Sequence, residues 1–269
     1  MTTKGKPPIG PSPVASDDLE AARARLYLDA DLTPGRDVVL GPEHATYLRT
    51  VLRLKPGAAL ALFNARDGEV AAVLAGFAKG SATLSLVRTT RTPAPEPGPW
   101  LLFALVKRTR VDFIVEKATE LGVERLVPVV TRRTQSNRTN LERLSMIAAE
   151  AAEQCERLTV PTIEAPEALE RALSHLPPDR LLLVAAEAGP AQPLAEVMIP
   201  ADTAVLIGPE GGFDPSELAM LADRPNTVLV GLGPRILRAD TAALAALAIV
   251  QSRHAVARPV RAGPDDTAA

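Results

Sequence analysis

The chain has 269 residues, 46% of them hydrophobic, so it can bury a globular core and is too long for one average domain. A single cysteine, Cys155, excludes a disulfide framework and a multi-thiolate zinc site, and three widely spaced histidines argue against a metal centre. No apolar run approaches the roughly 18 residues of a membrane-spanning helix, and the N-terminus has no signal-peptide pattern, so we expect a soluble, cytoplasmic protein.

The net charge of −2 hides an uneven distribution. Residues 23–143 contain 19 Lys or Arg and 12 Asp or Glu, a net charge of +7, whereas residues 144–269 contain 9 and 17, a net charge of −8. Cations that bind phosphates release condensed counterions, so a basic half suits a polyanionic partner. Chance variation of a solvated surface explains the same numbers, and charge alone does not decide between the two.

The first part of the chain predicts a disordered tail followed by a small β domain. Residues 1–22 are rich in Pro, Gly and acidic residues and have no sustained period. Over 23–91, short β-prone runs alternate with turn signals, which predicts a small antiparallel barrel. The runs are 25–28, 37–40, 59–63, 69–74 and 82–87. One helix is expected at 41–52, with Tyr47, Leu48, Val51 and Leu52 on one face.

A stiff linker separates this region from a second domain. Residues 92–99 hold four prolines and one glycine, which predicts a domain boundary. Beyond it, apolar runs alternate with helical patterns, which predicts an α/β domain with a parallel sheet covered on both faces. We expect this domain at 100–255 and a second disordered tail at 256–269. The apolar runs are 101–106, 126–130, 181–186, 204–207 and 228–230, and the helices are expected near 111–121, 139–157, 166–175, 214–222 and 240–255.

A glycine loop follows the apolar run 204–207. The segment reads Leu206-Ile-Gly-Pro-Glu-Gly-Gly-Phe-Asp-Pro-Ser-Glu217, in which Asp214 and Pro215 suit the N-cap and first position of a helix and Glu217 completes a capping box. The glycines allow a backbone to approach a ligand closely. The carboxylate of Glu210 disfavours phosphate and favours a neutral or cationic ligand. Standing alone, the loop is better explained as an ordinary tight αβ connection.

A second glycine loop follows the run 228–230 and precedes the last predicted helix. It reads Gly231-Leu-Gly-Pro-Arg-Ile-Leu-Arg-Ala-Asp-Thr-Ala242. Asp240 is either the N-cap of that helix or a functional carboxylate, and Arg235 and Arg238 are either solvated or part of a site. Ligands of parallel sheets bind beyond the carboxyl ends of the strands, so two such loops together predict a site for a ligand held largely by backbone groups.

The two glycine segments resemble the second and third motifs of the SPOUT methyltransferases, and more narrowly the RsmE family of small-subunit rRNA uridine N3-methyltransferases. Glu116-Lys-Ala-Thr-Glu-Leu-Gly122, Ala151-Ala-Glu-Gln-Cys155 and His44 with Val51-Leu-Arg-Leu-Lys-Pro-Gly57 extend the resemblance from about Arg25 to Gln251. It implies a PUA-like RNA-binding barrel, a SPOUT-like domain with a C-terminal trefoil knot, bound S-adenosylmethionine, 16S rRNA of the small ribosomal subunit as substrate and a homodimer. No metal is implied.

The resemblance assigns the cofactor to the two loops. The residues expected around S-adenosylmethionine are Ile207, Gly208, Pro209, Glu210, Gly211, Gly212, Leu232, Gly233, Arg235, Ile236, Leu237 and Thr241. We expect Asp240 or Glu210 to accept the N3 proton of uracil, and Arg238 to stabilise charge on its carbonyl oxygens. The residues expected to hold RNA phosphates, or alternatively to form only a solvated basic face, are Arg108, Arg132, Arg133 and Arg138.

Two positions depart from the family pattern. The family usually has Lys-Gly where this chain has Lys107-Arg108, and Glu where this chain has Asp240, which has a shorter reach. Other functions remain open: a ribose 2′-O or guanine methyltransferase of the same superfamily, a non-catalytic RNA-binding assembly factor, or a nucleotide-dependent metabolic enzyme. The absence of a phosphate-loop lysine disfavours the last.

Overall fold

The computed structural model describes residues 24–134, 136–186 and 191–253, and the chain divides into two units. The first contains residues 24–96 and Glu142–Pro161, and the second contains Pro97–Leu141 and residues from Thr162 onward. The tails predicted at 1–22 and 256–269 lie outside the described residues. No helix in the described ranges is both long and apolar enough to cross a bilayer.

A five-stranded sheet of order β1-β3-β4-β5-β2 forms the first unit. Its strands are β1 (Arg25–Tyr27), β2 (Asp37–Leu40), β3 (Ala59–Asn64), β4 (Gly68–Ala78) and β5 (Ser81–Arg91). The pairs β2–β5, β3–β4 and β4–β5 are antiparallel as the sequence predicts, but β1 lies parallel to β3. Residues 28–58 form the long crossover that a parallel pair requires, and the alternating pattern of the two strands carries no signal of their relative direction.

The predicted helix at 41–52 has two parts. The α-helix α1 (Pro42–Thr46) continues into a π-helical turn, Tyr47–Val51, closed by a bond from the Leu52 N–H to the Tyr47 carbonyl at 3.0 Å. The wider turn rotates the following residues, so Leu48 is fully buried while Val51 is 63% exposed. The predicted common face is therefore wrong for Val51, because it assumes a period of 3.6 residues.

The helix α3 (Leu141–Cys155) lies almost wholly in the first unit, although the sequence predicts it within the second domain. The Arg25 guanidinium lies 3.6 Å from the ring centroid of Phe63 and donates to the carbonyls of Ala152 and Arg157. Phe63 packs with Ala152 and Leu158 in one buried cluster. These contacts join residues far apart in sequence, and hydrophobic periodicity cannot predict such contacts.

Two carboxylates also attach residues 142–161 to the first sheet. Glu96 accepts hydrogen bonds from the backbone N–H groups of Leu158 and Thr159, and Glu153 accepts one from Tyr27 at 2.9 Å. Burial raises the pKa of Glu153, and the Tyr27 N–H partly offsets that effect. The segment 142–161 is therefore held to the sheet by packing and by hydrogen bonds.

An eight-stranded sheet forms the second unit, in which the path β11-β13-β10-β12-β6-β7-β8 is parallel throughout and β9 pairs with β7. The strands are β6 (Trp100–Ala104), β7 (Arg125–Val130), β8 (Thr162–Ile163), β9 (Glu167–Ala168), β10 (Leu181–Ala185), β11 (Gln192–Pro193), β12 (Thr203–Ile207) and β13 (Thr227–Gly231). The helices are α2 (Arg108–Glu120), α4 (Leu169–His175), the 3₁₀ turn Leu194–Glu196, α5 (Pro215–Asp223) and α6 (Ala239–Arg253). The predicted parallel α/β sheet is confirmed. The two-residue strands β8, β9 and β11 are not predicted from the sequence.

Helices cover both faces of this sheet. Leu102, Val127, Val184 and Leu206 share one buried cluster with side chains of α4 and α5. Alternate residues such as Phe103 point to the opposite face, where α6 contacts β6 and β12 and packs against α2. Both faces are thus buried, and loops at the strand ends remain available for ligands.

Removing Arg25 should destabilise the first unit strongly. Its side chain is 9% exposed and pairs with the 7% exposed Glu69 at 2.7 Å, so Arg25→Ala leaves a buried carboxylate and two carbonyls short of a donor. We expect a loss on the order of 3 kcal/mol in the free energy of unfolding, measured by urea denaturation. Arg36→Ala, which removes a pair with Asp31 that is 68% and 56% exposed, should leave the free energy of unfolding nearly unchanged. Equal losses would contradict the assignment.

Candidate functional site

The two glycine loops leave the same edge of the parallel sheet. β12 ends at Ile207 and β13 at Gly231, and both strands pair with β10. Ala185 of β10 lies opposite Ile207 on one side and opposite Val230 on the other. Neighbouring strands are about 4.8 Å apart, so the two loops begin about 10 Å from each other. The crevice predicted at the carboxyl ends of the strands therefore brings the two motifs together.

The loop after β12 is a tight turn built on its glycines. The Gly212 N–H donates to the Pro209 carbonyl at 2.9 Å, and Gly212 has a φ of +67°, which favours glycine. A Cβ on Gly208 would lie 3.0 Å from the ring of Phe213, a side chain that is 6% exposed. Gly208 thus lets Phe213 fold into the core beneath the loop and keeps the loop close to the strand.

The helix after this loop begins as the sequence predicts. Asp214 is the N-cap of α5, Pro215 follows it, and Glu217 completes the capping box by accepting the Asp214 N–H at 2.8 Å. Ser216 donates to the Asp214 carboxylate from both its hydroxyl and its N–H, which lowers the pKa of Asp214. Arg132 and Arg133 lower the same pKa by a smaller amount.

Glu217 also binds a second loop, which its sequence position does not reveal. Its carboxylate, in a residue 2% exposed, accepts the Arg132 N–H at 2.8 Å through the oxygen that the capping box leaves free. The Arg133 guanidinium donates to the Gly211 carbonyl at 2.8 Å and lies 3.9 Å from the Asp214 carboxylate. The loop after β7 and the glycine loop after β12 are therefore fixed to each other.

An ion pair from α2 completes the support of the first glycine loop. Arg110 in the first turn of α2 lies 2.6 Å from Glu210. Both side chains are partly exposed, at 22% and 42%. Arg110 is not among the site residues predicted from the sequence, although three cations in 107–110, just beyond the end of β6, are a signal that points to it.

The loop after β13 is open and bears unpaired cations. Gly233 has a φ of +113°, and a Cβ there would meet nothing within 4 Å. Ile236 is 82% exposed, an unusual position for a large apolar side chain. Arg235 and Arg238 are exposed, and within the described part of the chain neither has an ion-pair partner. The loop therefore offers free backbone, an apolar side chain and two guanidinium groups.

Asp240 is not the N-cap of the last helix. The Arg238 carbonyl accepts the Ala242 N–H at 2.8 Å, the first bond of α6, which makes Arg238 the capping residue. The Asp240 carboxylate accepts the N–H of its neighbour Thr241 at 2.9 Å. Asp240 is therefore not the N-cap residue, although its carboxylate still satisfies one free N–H in the first turn of the helix.

The predicted cofactor residues occupy these two loops and the ends of the strands before them, except Thr241, which lies in the first turn of α6. Ile207 and Pro209 are buried, whereas all ten of the others are at least partly exposed: Gly208, Glu210, Gly211, Gly212, Leu232, Gly233, Arg235, Ile236, Leu237 and Thr241. Of the arginines expected to hold RNA, Arg108 lies 4.0 Å from Asp112 on its own helix, and Arg132 and Arg138 are exposed. Arg133 is engaged with the glycine loop, as described above.

A comparison with known protein families identifies a domain in this part of the chain. Residues 95–251 match the family model of the RNA methyltransferase domain. That range covers more than half of the chain and includes both glycine loops, all of α2 and most of α6.

Similarity extends over nearly the whole chain in several relatives. Ribosomal RNA small subunit methyltransferase E of Rickettsia conorii is 34% identical, over 84% of this chain and 94% of its own length. The protein of the same name from Synechocystis is 32% identical, over 80% of this chain and 73% of its own. A Neisseria gonorrhoeae protein of that name, solved with bound S-adenosylmethionine, is 29% identical with a TM-score of 0.77, over 86% of this chain and 97% of its own.

Glu217→Ala should loosen two loops at once. Two partly buried backbone N–H groups lose their acceptor, and an unsatisfied buried donor costs about 1–3 kcal/mol at most. We expect faster amide hydrogen exchange in both 131–134 and 208–214, measured by mass spectrometry, and a lower melting temperature.

Glu170→Ala, which removes an exposed carboxylate from α4, is the matched control and should change neither quantity. Faster exchange in 208–214 alone would show that Glu217 is only a helix cap.

Proposed function

Because the chain belongs to the ribosomal RNA small subunit methyltransferase E family, we propose that it transfers the methyl group of S-adenosylmethionine to N3 of a uridine in 16S rRNA. The observation that carries this proposal is the pair of glycine loops on the two sides of the β10 end. Similarity of the whole chain to proteins with this name agrees with it. The reaction would take place in the cytoplasm, where its substrate is found.

The residues of the two loops fit S-adenosylmethionine. Gly212 and Gly233 leave open space where a side chain would otherwise project, so backbone groups can contact a ligand directly. Exposed Ile236 offers an apolar surface that suits an adenine ring. Neither glycine segment, 206–217 or 231–242, contains the lysine of a phosphate loop, which suits a cofactor that has no phosphate. When bound, the cofactor supplies a methyl group already activated by its sulfonium.

This chain's own residues must then make N3 of uracil a competent nucleophile, since N3 carries a proton at neutral pH. Asp240 is the better candidate for accepting that proton. Its carboxylate accepts the Thr241 N–H and has no ion-pair partner among the described residues, whereas Glu210 is paired with Arg110 at 2.6 Å. We assign Glu210 to holding the loop and Asp240 to the proton transfer, directly or through one water.

Arg238 is positioned to stabilise the charge that this step creates. Loss of the N3 proton places negative charge on the uracil carbonyl oxygens, and an unpaired guanidinium can donate two hydrogen bonds to such a group. Arg238 is exposed at the start of α6, two residues before Asp240. The proposed proton acceptor and the proposed charge-stabilising group therefore come from one short segment.

The remaining features of the proposal rest on the family resemblance. They are a PUA-like fold for the first sheet, a trefoil knot in the second unit, a homodimer, and contacts of Arg108, Arg132 and Arg138 with RNA phosphates. N3 lies on the Watson–Crick edge, so the target uridine must be unpaired or flipped out when it reacts.

Mapping the methylated nucleoside tests the proposed reaction. Small-subunit rRNA from a strain without this gene is incubated with the protein and S-adenosylmethionine, digested and analysed by mass spectrometry. We expect N3-methyluridine at one site. Methylation of a ribose 2′-O or of guanine would assign the chain to another methyltransferase reaction, and no methylation of free rRNA or of assembled subunits would favour a binding factor.

Arg238→Lys should lower the methylation rate on the order of 10²-fold, since the lysine keeps the charge but loses the planar pair of donors. The measurement is single-turnover methylation at saturating rRNA and cofactor. Cofactor affinity should change little, because a group that acts in the transition state contributes little to ground-state binding. Arg171→Lys on α4 is the control, and an equal rate for the two variants would remove Arg238 from the chemistry.

A further inference from the structure

The first glycine loop is anchored at both ends, and its centre consists of two glycines. At one end Gly208 packs against the ring of Phe213, and at the other end the capping box fixes Asp214. Gly211 and Gly212 lie between these anchors. Glycine loses more conformational freedom on ordering than any other residue, so this pair is the part of the loop that most needs an external contact to select one conformation.

The peptide group between the two glycines is held at both of its polar atoms. The Gly212 N–H donates to the Pro209 carbonyl at 2.9 Å. The Gly211 carbonyl accepts a hydrogen bond from the Arg133 guanidinium at 2.8 Å. Among the described residues, Arg133 is the one side chain from outside 208–214 that binds the backbone of this glycine pair.

Arg133 reaches the glycine loop from another part of the sheet edge. It follows β7, and β6 lies between β7 and β12 in the sheet. Neighbouring strands are about 4.8 Å apart, so the loops after β7 and β12 begin about 10 Å from each other. The apolar stem of Arg133 runs beside the loop, because its Cβ and Cδ lie 3.9 and 3.7 Å from a Cβ built on Gly211. One long side chain thus joins two loops that leave the sheet separately.

The adjacent arginines 132 and 133 are used in different ways. Arg132 binds Glu217 through its backbone N–H, while its side chain is exposed and has no ion-pair partner in the described part of the chain. The Arg133 guanidinium has the Gly211 carbonyl as an acceptor and lies 3.9 Å from the Asp214 carboxylate. A guanidinium that already binds acceptors of the protein is less available to phosphate. Positive charge alone, from which both arginines are predicted to hold RNA, does not separate these roles.

We propose that Arg133 is a positioning residue for the cofactor, which fixes the Gly211–Gly212 peptide in the conformation that receives S-adenosylmethionine, and that it does not hold RNA phosphate. A hydrogen bond from a charged donor is stronger than one between neutral groups, so it can hold a flexible glycine pair in one conformation. The cofactor then meets an ordered loop and need not order the two glycines itself. The inference rests on the proposed function for the identity of the cofactor.

Arg133→Met tests this role, since methionine keeps an apolar stem beside Gly211 and removes the donor. The apparent dissociation constant rises as the fraction of molecules with a binding-competent loop falls. We expect it to rise on the order of 10-fold for S-adenosylmethionine titrated by calorimetry without RNA, as for a loop that is competent in about a tenth of the molecules.

Two readouts separate positioning from a general structural defect. In the titration, misfolded protein would lower the stoichiometry and leave the dissociation constant unchanged, whereas we expect a wild-type stoichiometry and a weaker constant. In methylation assays, the KM for the cofactor should rise while kcat at saturating cofactor stays near that of the wild type, because excess cofactor repopulates the competent loop.

Arg132→Met is the matched control in the cofactor titration. It removes the same charge one residue away and leaves the Arg132 N–H bonded to Glu217, so cofactor affinity should equal that of the wild type. Equal losses in the two variants would show an effect of charge alone and would overturn the proposal, as would wild-type affinity in Arg133→Met.

A titration with rRNA tests the second half of the proposal. Arg133→Met should keep the wild-type slope of log affinity against log salt, since each lost phosphate contact with a single strand lowers that slope by about 0.7. A loss of this size with unchanged cofactor affinity would return Arg133 to RNA binding. Wild-type protein that binds no S-adenosylmethionine would contradict the proposed function as well, whereas equal cofactor affinity of wild type and Arg133→Met would contradict the positioning role alone.

Discussion

The parallel pairing of β12 and β13 with opposite sides of β10 is the constraint on which the site depends. Parallel strands end at one edge, so two loops separated by more than twenty residues in sequence open within about 10 Å of each other. Neither loop would define a site alone. The sheet fixes their origins, and the glycines then determine how closely each loop follows its strand.

Carboxylates that accept backbone N–H groups hold distant segments in both units. Glu217 binds the N–H groups of Arg132 and Asp214, and Glu96 binds those of Leu158 and Thr159. A charged acceptor makes a stronger hydrogen bond than a neutral one, and it satisfies loop donors that have no partner in a helix or strand. The protein thereby fixes loops in place while leaving their outer surfaces available for ligands.

Local patterns predicted much of this architecture. The apolar runs located the principal strands of the parallel sheet, and the capping box of Asp214 and Glu217 fixed the start of α5 to the residue. What the patterns missed depends on contacts across the sequence or on an irregular backbone. The parallel direction of β1, the π-turn that exposes Val51, the placement of 142–161 with the first sheet and the Arg110–Glu210 pair are of this kind. A single sequence carries no record of which distant residues meet.

The central claim is that the two loops at the β10 end hold S-adenosylmethionine through their backbone. The most direct measurement is a calorimetric titration of this cofactor into Gly233→Val and Gly57→Val. Both glycines have a positive φ, +113° and +91°, and a Cβ on either would meet nothing within 4 Å, so the two variants carry comparable strain. Only Gly233 lies in a proposed cofactor loop. The account predicts that Gly233→Val loses cofactor affinity while Gly57→Val retains it. Wild-type affinity in Gly233→Val would contradict the account.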